Sequence, residues 1–205
     1  MTSLPAASAI VLAGGRSRRF GRDKLAEPLD GRTLLDHAIA AVSQVATDVL
    51  VVAAPGSDPK VQGVVHVVHD EIPDEGPLAG LAAGLALARE PLVVVVGGDM
   101  PTLVVPVLAA LLRALEASQA DAVVLEHRGR RQPLPMAVRN GAAAPRVKRL
   151  VDDGERRLSA VLDTMPLRVL AEGEWRSLDP QAETLRDVDL PEDLQLLTRR
   201  DDRRT

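Results

Sequence analysis

The chain has 205 residues and carries 25 lysines and arginines against 29 aspartates and glutamates, a formal net charge of -4. That length suits one large domain or a domain with a small annex, and the acidic balance argues against a nucleic-acid binder. The absence of cysteine excludes disulfides and thiolate metal sites, and with one Phe (Phe20), one Trp (Trp175) and no Tyr the chain lacks the stacking platforms that grip single-stranded bases.

Taken in order, "SAIVLAG" (8–14) and "DVLVVAA" (48–54) are short β-branched runs closed by glycine or proline, the pattern of buried parallel strands. Between them "TLLDHAIAAVSQV" (33–45) places Leu34, Leu35, Ala38, Ile39, Val42 and Val45 on one helical face, with Thr33 as N-cap. "VVHVVHD" (64–70) predicts a third strand, and "GPLAGLAAGLALARE" (76–90) a helix with Pro77 in its first turn. "PLVVVVGGD" (91–99) is the most hydrophobic strand and is expected at the sheet centre. A helix over about 103–117, with Thr102 as its expected cap, and a strand at "DAVVLE" (121–126) follow. Strand and helix alternating through short links predict right-handed crossovers and an α/β fold: a mostly parallel sheet with helices on both faces.

Beyond residue 126 the pattern loosens. "HRGRRQPLPMAVRN" reads as a turn and a proline-bearing edge strand, then a helical stretch over 144–163 and a strand at "PLRVL" (166–170). A last helix begins at "LPEDL". Residues 1–197 are expected to form a single domain and 198–205 a disordered charged tail. No run approaches the roughly 20 apolar residues that span a bilayer, and no basic segment precedes the first apolar run, so no membrane association and a cytoplasmic location are expected.

The chemistry concentrates in "LAGGRSRRFGRDK" (12–24), where a glycine pair follows the first strand and Arg16, Arg18, Arg19, Arg22 and Lys24 cluster. In such a fold that position is the ligand edge of the sheet, and open backbone N–H groups with cations suit a polyphosphate. The stretch is neither a P-loop, since Lys24 is followed by Leu25, nor a G-x-G-x-x-G dinucleotide fingerprint. Asp99, at the end of the expected central strand, is a hard oxygen donor suited to Mg²⁺. Asp70 ends another strand on the same rim. Gly80 and Gly84 leave a smooth helix face for close packing by sheet or ligand. His66 and His69 point to opposite faces of a strand, and His37 and His127 lack a partner at ligand spacing.

The segments "LAGGRSRRFGRDK", "DEIPDEGPLAG", "GGDMP", "RRQPLPMAV", "DDGERRL" and "DVDLPEDL" occur in the order and spacing of the molybdenum cofactor guanylyltransferases, and the chain resembles that family over about residues 8–197. The resemblance implies a Rossmann-like fold of nucleotidyltransferase type that transfers GMP from Mg·GTP to the phosphate of molybdopterin and releases pyrophosphate. It implies Leu12, Ala13, Gly14, Gly15, Lys24, Asp70 and Asp99 as nucleotide contacts, Arg19, Lys24 and Asp99 as catalytic groups, and Mg²⁺ on Asp99 and Asp189. GTP and molybdopterin are then the small-molecule substrates, with molybdoenzymes or other cofactor-biosynthesis proteins as partners. Two departures stand out: Ala53 replaces a family asparagine, and Asp187-Val188-Asp189 replaces Asn-Val-Asn. Asp189 with Glu192 also reads as an ordinary capping box, and Arg156 and Arg157 as either phosphate contacts or surface charge. A CTP-dependent or sugar-phosphate nucleotidyltransferase and a non-catalytic nucleotide-binding adaptor are the competing readings.

Overall fold

The computed structural model describes residues 4–14, 20, 23–61, 63, 65–69 and 76–201. The first strand, β1 (Ala7–Ala13), is followed by a small hairpin, β2 (Pro28–Leu29) and β3 (Arg32–Thr33), and by helix α1 (Leu34–Val42). Next come β4 (Asp48–Ala53), β5 (His66–His69), α2 (Pro77–Leu87), β6 (Leu92–Gly97), α3 (Val105–Glu116), β7 (Ala122–His127) and β8 (Arg130–Arg139). The remainder is α4 (Asn140–Asp152), a 3-10 turn at Leu158–Asp163, β9 (Leu167–Leu170), a one-turn helix α5 (Glu172–Trp175) and α6 (Pro191–Asp201).

The main sheet has the order β5-β4-β1-β6-β8-β7-β9. β1 pairs in parallel with both β4 and β6, β4 with β5 and β7 with β9, while β8 runs antiparallel to its neighbours β6 and β7. The chain moves outward from β1 to β4 and β5, then returns to place β6 on the other side of β1. The strand order therefore reverses between β1 and β6, and in open α/β sheets the crevice beyond the carboxyl ends at such a reversal is where ligands bind.

Burial on both faces explains why the strands read as unbroken apolar runs. Ala9, Val11, Val49, Val51, Val94 and Val96 belong to one core, shared with α1 and α3. The alternate residues Ile10, Leu50, Val52, Val93 and Val95 belong to the other, under α2 and α4. Trp175 is fully buried in the first core, and its indole N–H donates to the Glu126 carbonyl. At the amino-terminal edge a buried polar knot pins the turn after α2. The Ser8 hydroxyl donates to Asp48 at 2.7 Å, and the Arg89 and Glu90 amides donate to Ser8 at 3.1 and 3.0 Å.

Three local expectations change. The proline-bearing strand β8 is interior, not an edge. Its pairing with β6 begins only at Met136, and its ladder to β7 is interrupted between Arg131 and Met136, so Pro133 and Pro135 fall where no ladder hydrogen bond is required. The helix expected over 144–163 starts earlier, at Asn140, and stops at Asp152. There Gly154 takes φ +85°, its amide donates to Val151 O, and Glu155 N donates to Leu150 O, which is a Schellman stop. Thr102 does not cap α3: its hydroxyl donates to Glu183 O, while the Val104 amide donates to the Thr184 hydroxyl from a segment 80 residues away. Thr33 caps α1 as expected, accepting from Asp36 N.

Gly80 and Gly84 lie in α2 against the sheet. A Cβ on Gly84 would stand 2.8 Å and 2.9 Å from Ile10 atoms, whereas one on Gly80 would meet Val52 at 3.4 Å and Leu12 at 3.6 Å. Gly84→Ala is expected to destabilise by about 1–3 kcal/mol because Ile10 is held in the sheet. Gly80→Ala is expected to be neutral or to gain up to about 1 kcal/mol from helix propensity. Denaturant unfolding of the two variants checks the contrast, and equal effects would contradict it.

Candidate functional site

The crevice between β1 and β6 gathers residues that the sequence scatters. On one wall, Leu12 and Ala13 close β1, and Gly14 follows as exposed backbone. A Cβ on Gly14 would make ordinary van der Waals contact with the Ala53–Ala54 backbone, at 3.7 Å from the Ala54 nitrogen. Gly15, Arg16, Arg18, Arg19, Arg22 and Asp70 lie outside the described residues. Further along, the Asp23 carboxylate accepts from Leu25 N and caps a 3-10 turn that starts at Lys24.

On the other wall, β6 ends at Gly97. Gly98 N donates to Leu12 O at 2.9 Å and ties the two strand ends together. The Asp99 carboxylate folds back over Gly97, so closely that any Cβ on Gly97 would collide with Asp99 Oδ1. A third segment arrives from the far end of the chain: Val188 N donates to Asp99 O at 2.9 Å, which brings Asp187 and Asp189 alongside.

Lys24 joins the three. Its ammonium donates to Asp99 Oδ2 at 2.8 Å and to Asp189 Oδ1 at 2.9 Å, across 75 and 165 residues of sequence. Burial alone would lower the Lys24 pKa, but the hydrogen bonds and charges of Asp99 and then Asp189 outweigh it and hold it above 10.5. Its ionic contribution to folding is thus present below 10.5 as long as the partner carboxylates are ionised, and it fades as pH climbs through the raised value.

Asp187 goes the other way for a carboxylate. Partial desolvation of its carboxyl, then the charges of Asp189 and Asp99, push its pKa above the ordinary 3.8. The residue remains well exposed, so solvent screens the effect on stability.

The Asp189 capping box is not formed. The Asp189 and Leu190 amides donate instead to Asp193 Oδ2, at 3.0 and 2.8 Å, so Asp193 caps α6 and the Asp189 side chain is turned to Lys24. The sequence held this alternative in the same Leu-Pro-Glu-Asp stretch, one residue further on. Asp99 caps nothing either: its side chain pairs with Lys24 while α3 begins six residues later.

Arg157 sits in a self-contained surface turn. The Glu155 carboxylate accepts from the Arg157 guanidinium and from both following amides, which lowers its pKa to about 2. His127 does have a partner, which spacing could not show: Nδ1 lies 3.1 Å from Glu172 Oε1, and the ring meets Trp175 edge-on at 6.3 Å between centroids.

The donor set at the crevice fits a hard divalent cation. Two carboxylate oxygens from separate loops converge on one point, now held by an ammonium of the same charge sign. Among the described residues no three His, Asp or Glu side chains form a complete cage. A carboxylate pair completed by water and phosphate oxygens is the usual way Mg²⁺ is held.

The MobA-like NTP transferase domain matches residues 9–169. A protein of Chloroflexus aggregans named probable molybdenum cofactor guanylyltransferase is 36% identical over 197 residues, 93% of this chain and 92% of its own length. One of the same name from Mycobacterium tuberculosis is 43% identical over 160 residues, 75% of this chain and 78% of its own. The crystal structure of molybdopterin-guanine dinucleotide biosynthesis protein A from Archaeoglobus fulgidus shares the fold, with a TM-score of 0.80 over 96% of this chain and 99% of that one at 21% identity. Among the described residues no helix is long and apolar enough to cross a membrane.

Asp187→Asn is expected to raise the melting temperature at pH 7, where the native carboxyl is charged against its neighbours. The gain should shrink towards pH 3, where both folded and unfolded forms are protonated. Thermal melts across that range check the sign, and a gain that grew on acidification would refute it.

Proposed function

The chain belongs to the MobA-like NTP transferase domain family, and on that premise we propose that it transfers GMP from Mg·GTP to the terminal phosphate of molybdopterin. Relatives named molybdenum cofactor guanylyltransferase, aligned over most of the chain, support this acceptor and base. The observation that carries the reading is the Lys24 ammonium held between Asp99 and Asp189 in the crevice at the sheet's switch point.

In the reaction an oxygen of the acceptor phosphate bonds to the α-phosphorus of GTP, the bond from that phosphorus to the bridging oxygen breaks, and pyrophosphate leaves in line. The attacking group is already an anion, so the protein needs no strong base. Its work is positioning and charge neutralisation. Leu12, Ala13 and Gly14 line the nucleoside side, where the exposed Gly14 backbone lets the ligand approach. Lys24 turns from the carboxylates to the phosphate oxygens and neutralises negative charge on the leaving pyrophosphate. Gly15, Arg19 and Asp70 are proposed to complete the nucleotide contacts, Arg19 with a catalytic role on the phosphates. Asp99 and Asp189 would hold the Mg²⁺ once Lys24 leaves them. That ion supplies charge neutralisation to the phosphate oxygens when bound. The ion pair with Lys24 keeps two like-charged carboxylates together in the meantime.

Pyrophosphate release measured with GTP, CTP, ATP and UTP against molybdopterin tests the proposal, and a clear preference for a nucleotide other than GTP would overturn its base assignment. Lys24→Ala is expected to keep the fold and lose about a hundredfold in turnover, roughly 3 kcal/mol of transition-state stabilisation. The same variant should bind Mn²⁺ more tightly than wild type when no nucleotide is present, because nothing then competes for the carboxylates. Near-normal turnover in Lys24→Ala would remove it from the reaction.

A further inference from the structure

Apart from the two cores that face the sheet, the fold contains a third, small apolar cluster. It consists of Phe20, Leu29, Leu34 and Val188, with Leu194 and Leu197 of α6 packed against it. Its members come from four places: the glycine-rich stretch, the β2–β3 hairpin, the start of α1 and the Asp187–Asp189 segment. Phe20, the chain's one phenylalanine, is 8% exposed, and Val188 is fully buried.

Both residues flank the candidate site rather than line it. Exposure alternates along Asp187, Val188 and Asp189, exposed, buried and exposed, the alternation of an extended segment that turns one side chain inward and its neighbours outward. Val188 is thereby held twice, by its side chain in the cluster and by its amide on the Asp99 carbonyl. Asp189 has no such anchor of its own: its side chain is 53% exposed, and its described contacts are the Lys24 ion pair and the amide bond to Asp193. Phe20 plays the matching part at the other end, four residues before Lys24. Carboxylates and lysines lose conformational freedom when they meet a ligand, and an apolar anchor one to four residues away limits that cost beforehand.

We propose that Val188 and Phe20 are positioning residues, which through this shared cluster set Lys24 and the Asp187–Asp189 segment in one fixed relation. The inference rests on the reading of Asp99 and Asp189 as the metal-holding pair. Neither Val188 nor Phe20 touches the reacting groups. Their effect passes through Asp189 and Lys24.

The test is Mn²⁺ binding to the protein with GTP, followed by electron paramagnetic resonance at a temperature well below every variant's melting point. Val188→Ala and Phe20→Ala are expected to raise the Mn²⁺ concentration at half-saturation about 10- to 100-fold. Val188→Ile should restore it. Val147→Ala, a truncation fully buried in the core under α2 and α4, controls for lost stability and should leave Mn²⁺ binding at the wild-type level. An unchanged half-saturation in both Val188→Ala and Phe20→Ala, with Asp99→Ala abolishing binding, overturns the positioning role while the metal reading stands. If Asp99→Ala also leaves binding intact, the reading of the carboxylate pair falls and this inference falls with it.

Discussion

One ammonium between two carboxylates is the contact on which the site depends. Asp99 and Asp189 carry like charge and come from segments 90 residues apart, so without a cation between them their approach would be opposed. Lys24 resolves that conflict, and it stays charged there because the favourable field of both carboxylates exceeds the cost of partial burial. The ion pair therefore keeps the two carboxylates together in the free protein.

The sheet supplies the rigid frame for that contact. Because the strand order reverses between β1 and β6, their carboxyl ends lie side by side at the edge where such sheets bind ligands. Those ends are tied by Gly98 N on Leu12 O, and glycine at 97 lets the Asp99 side chain fold back over the strand end. Strands buried on both faces give the crevice floor little freedom to move. The chain's long return from β6 through α3, β7, β8 and α4 ends with the Asp187–Asp189 segment laid across the same rim. The hydrogen bonds of Thr102 and Thr184 fasten the approach of that segment to the start of α3.

Much of this was legible in the residues themselves. β-Branched runs, helical spacing and closing glycines marked β1, β4, β6, α1 and α2, because each signal is local: an element that must bury both faces, or one stripe, has to be written apolar in that pattern. The placing of Gly14 and Asp99 at strand ends followed from the same alternation. The proline-bearing strand was misplaced at the edge because Pro133 and Pro135 are tolerated only through a break in the ladder, and a ladder break is a property of two strands together. The stop of α4 is written locally in "DDG", where Gly154 takes φ +85° and ends the helix although apolar residues at helical spacing continue beyond it.

The sequence by itself determined the α/β class, the strand ends that carry the glycines and the carboxylate, and the local excess of positive charge, since these depend on periodicity and composition over a few residues. Tertiary structure alone decided that β8 lies inside the sheet, that Asp193 rather than Asp189 engages the α6 cap, and that Lys24 meets Asp99 and Asp189 at one point. Those outcomes are choices between partners 4, 75 and 165 residues apart. Each is settled by which groups the packed cores bring within hydrogen-bonding reach, and that distance is not written in any single stretch of chain.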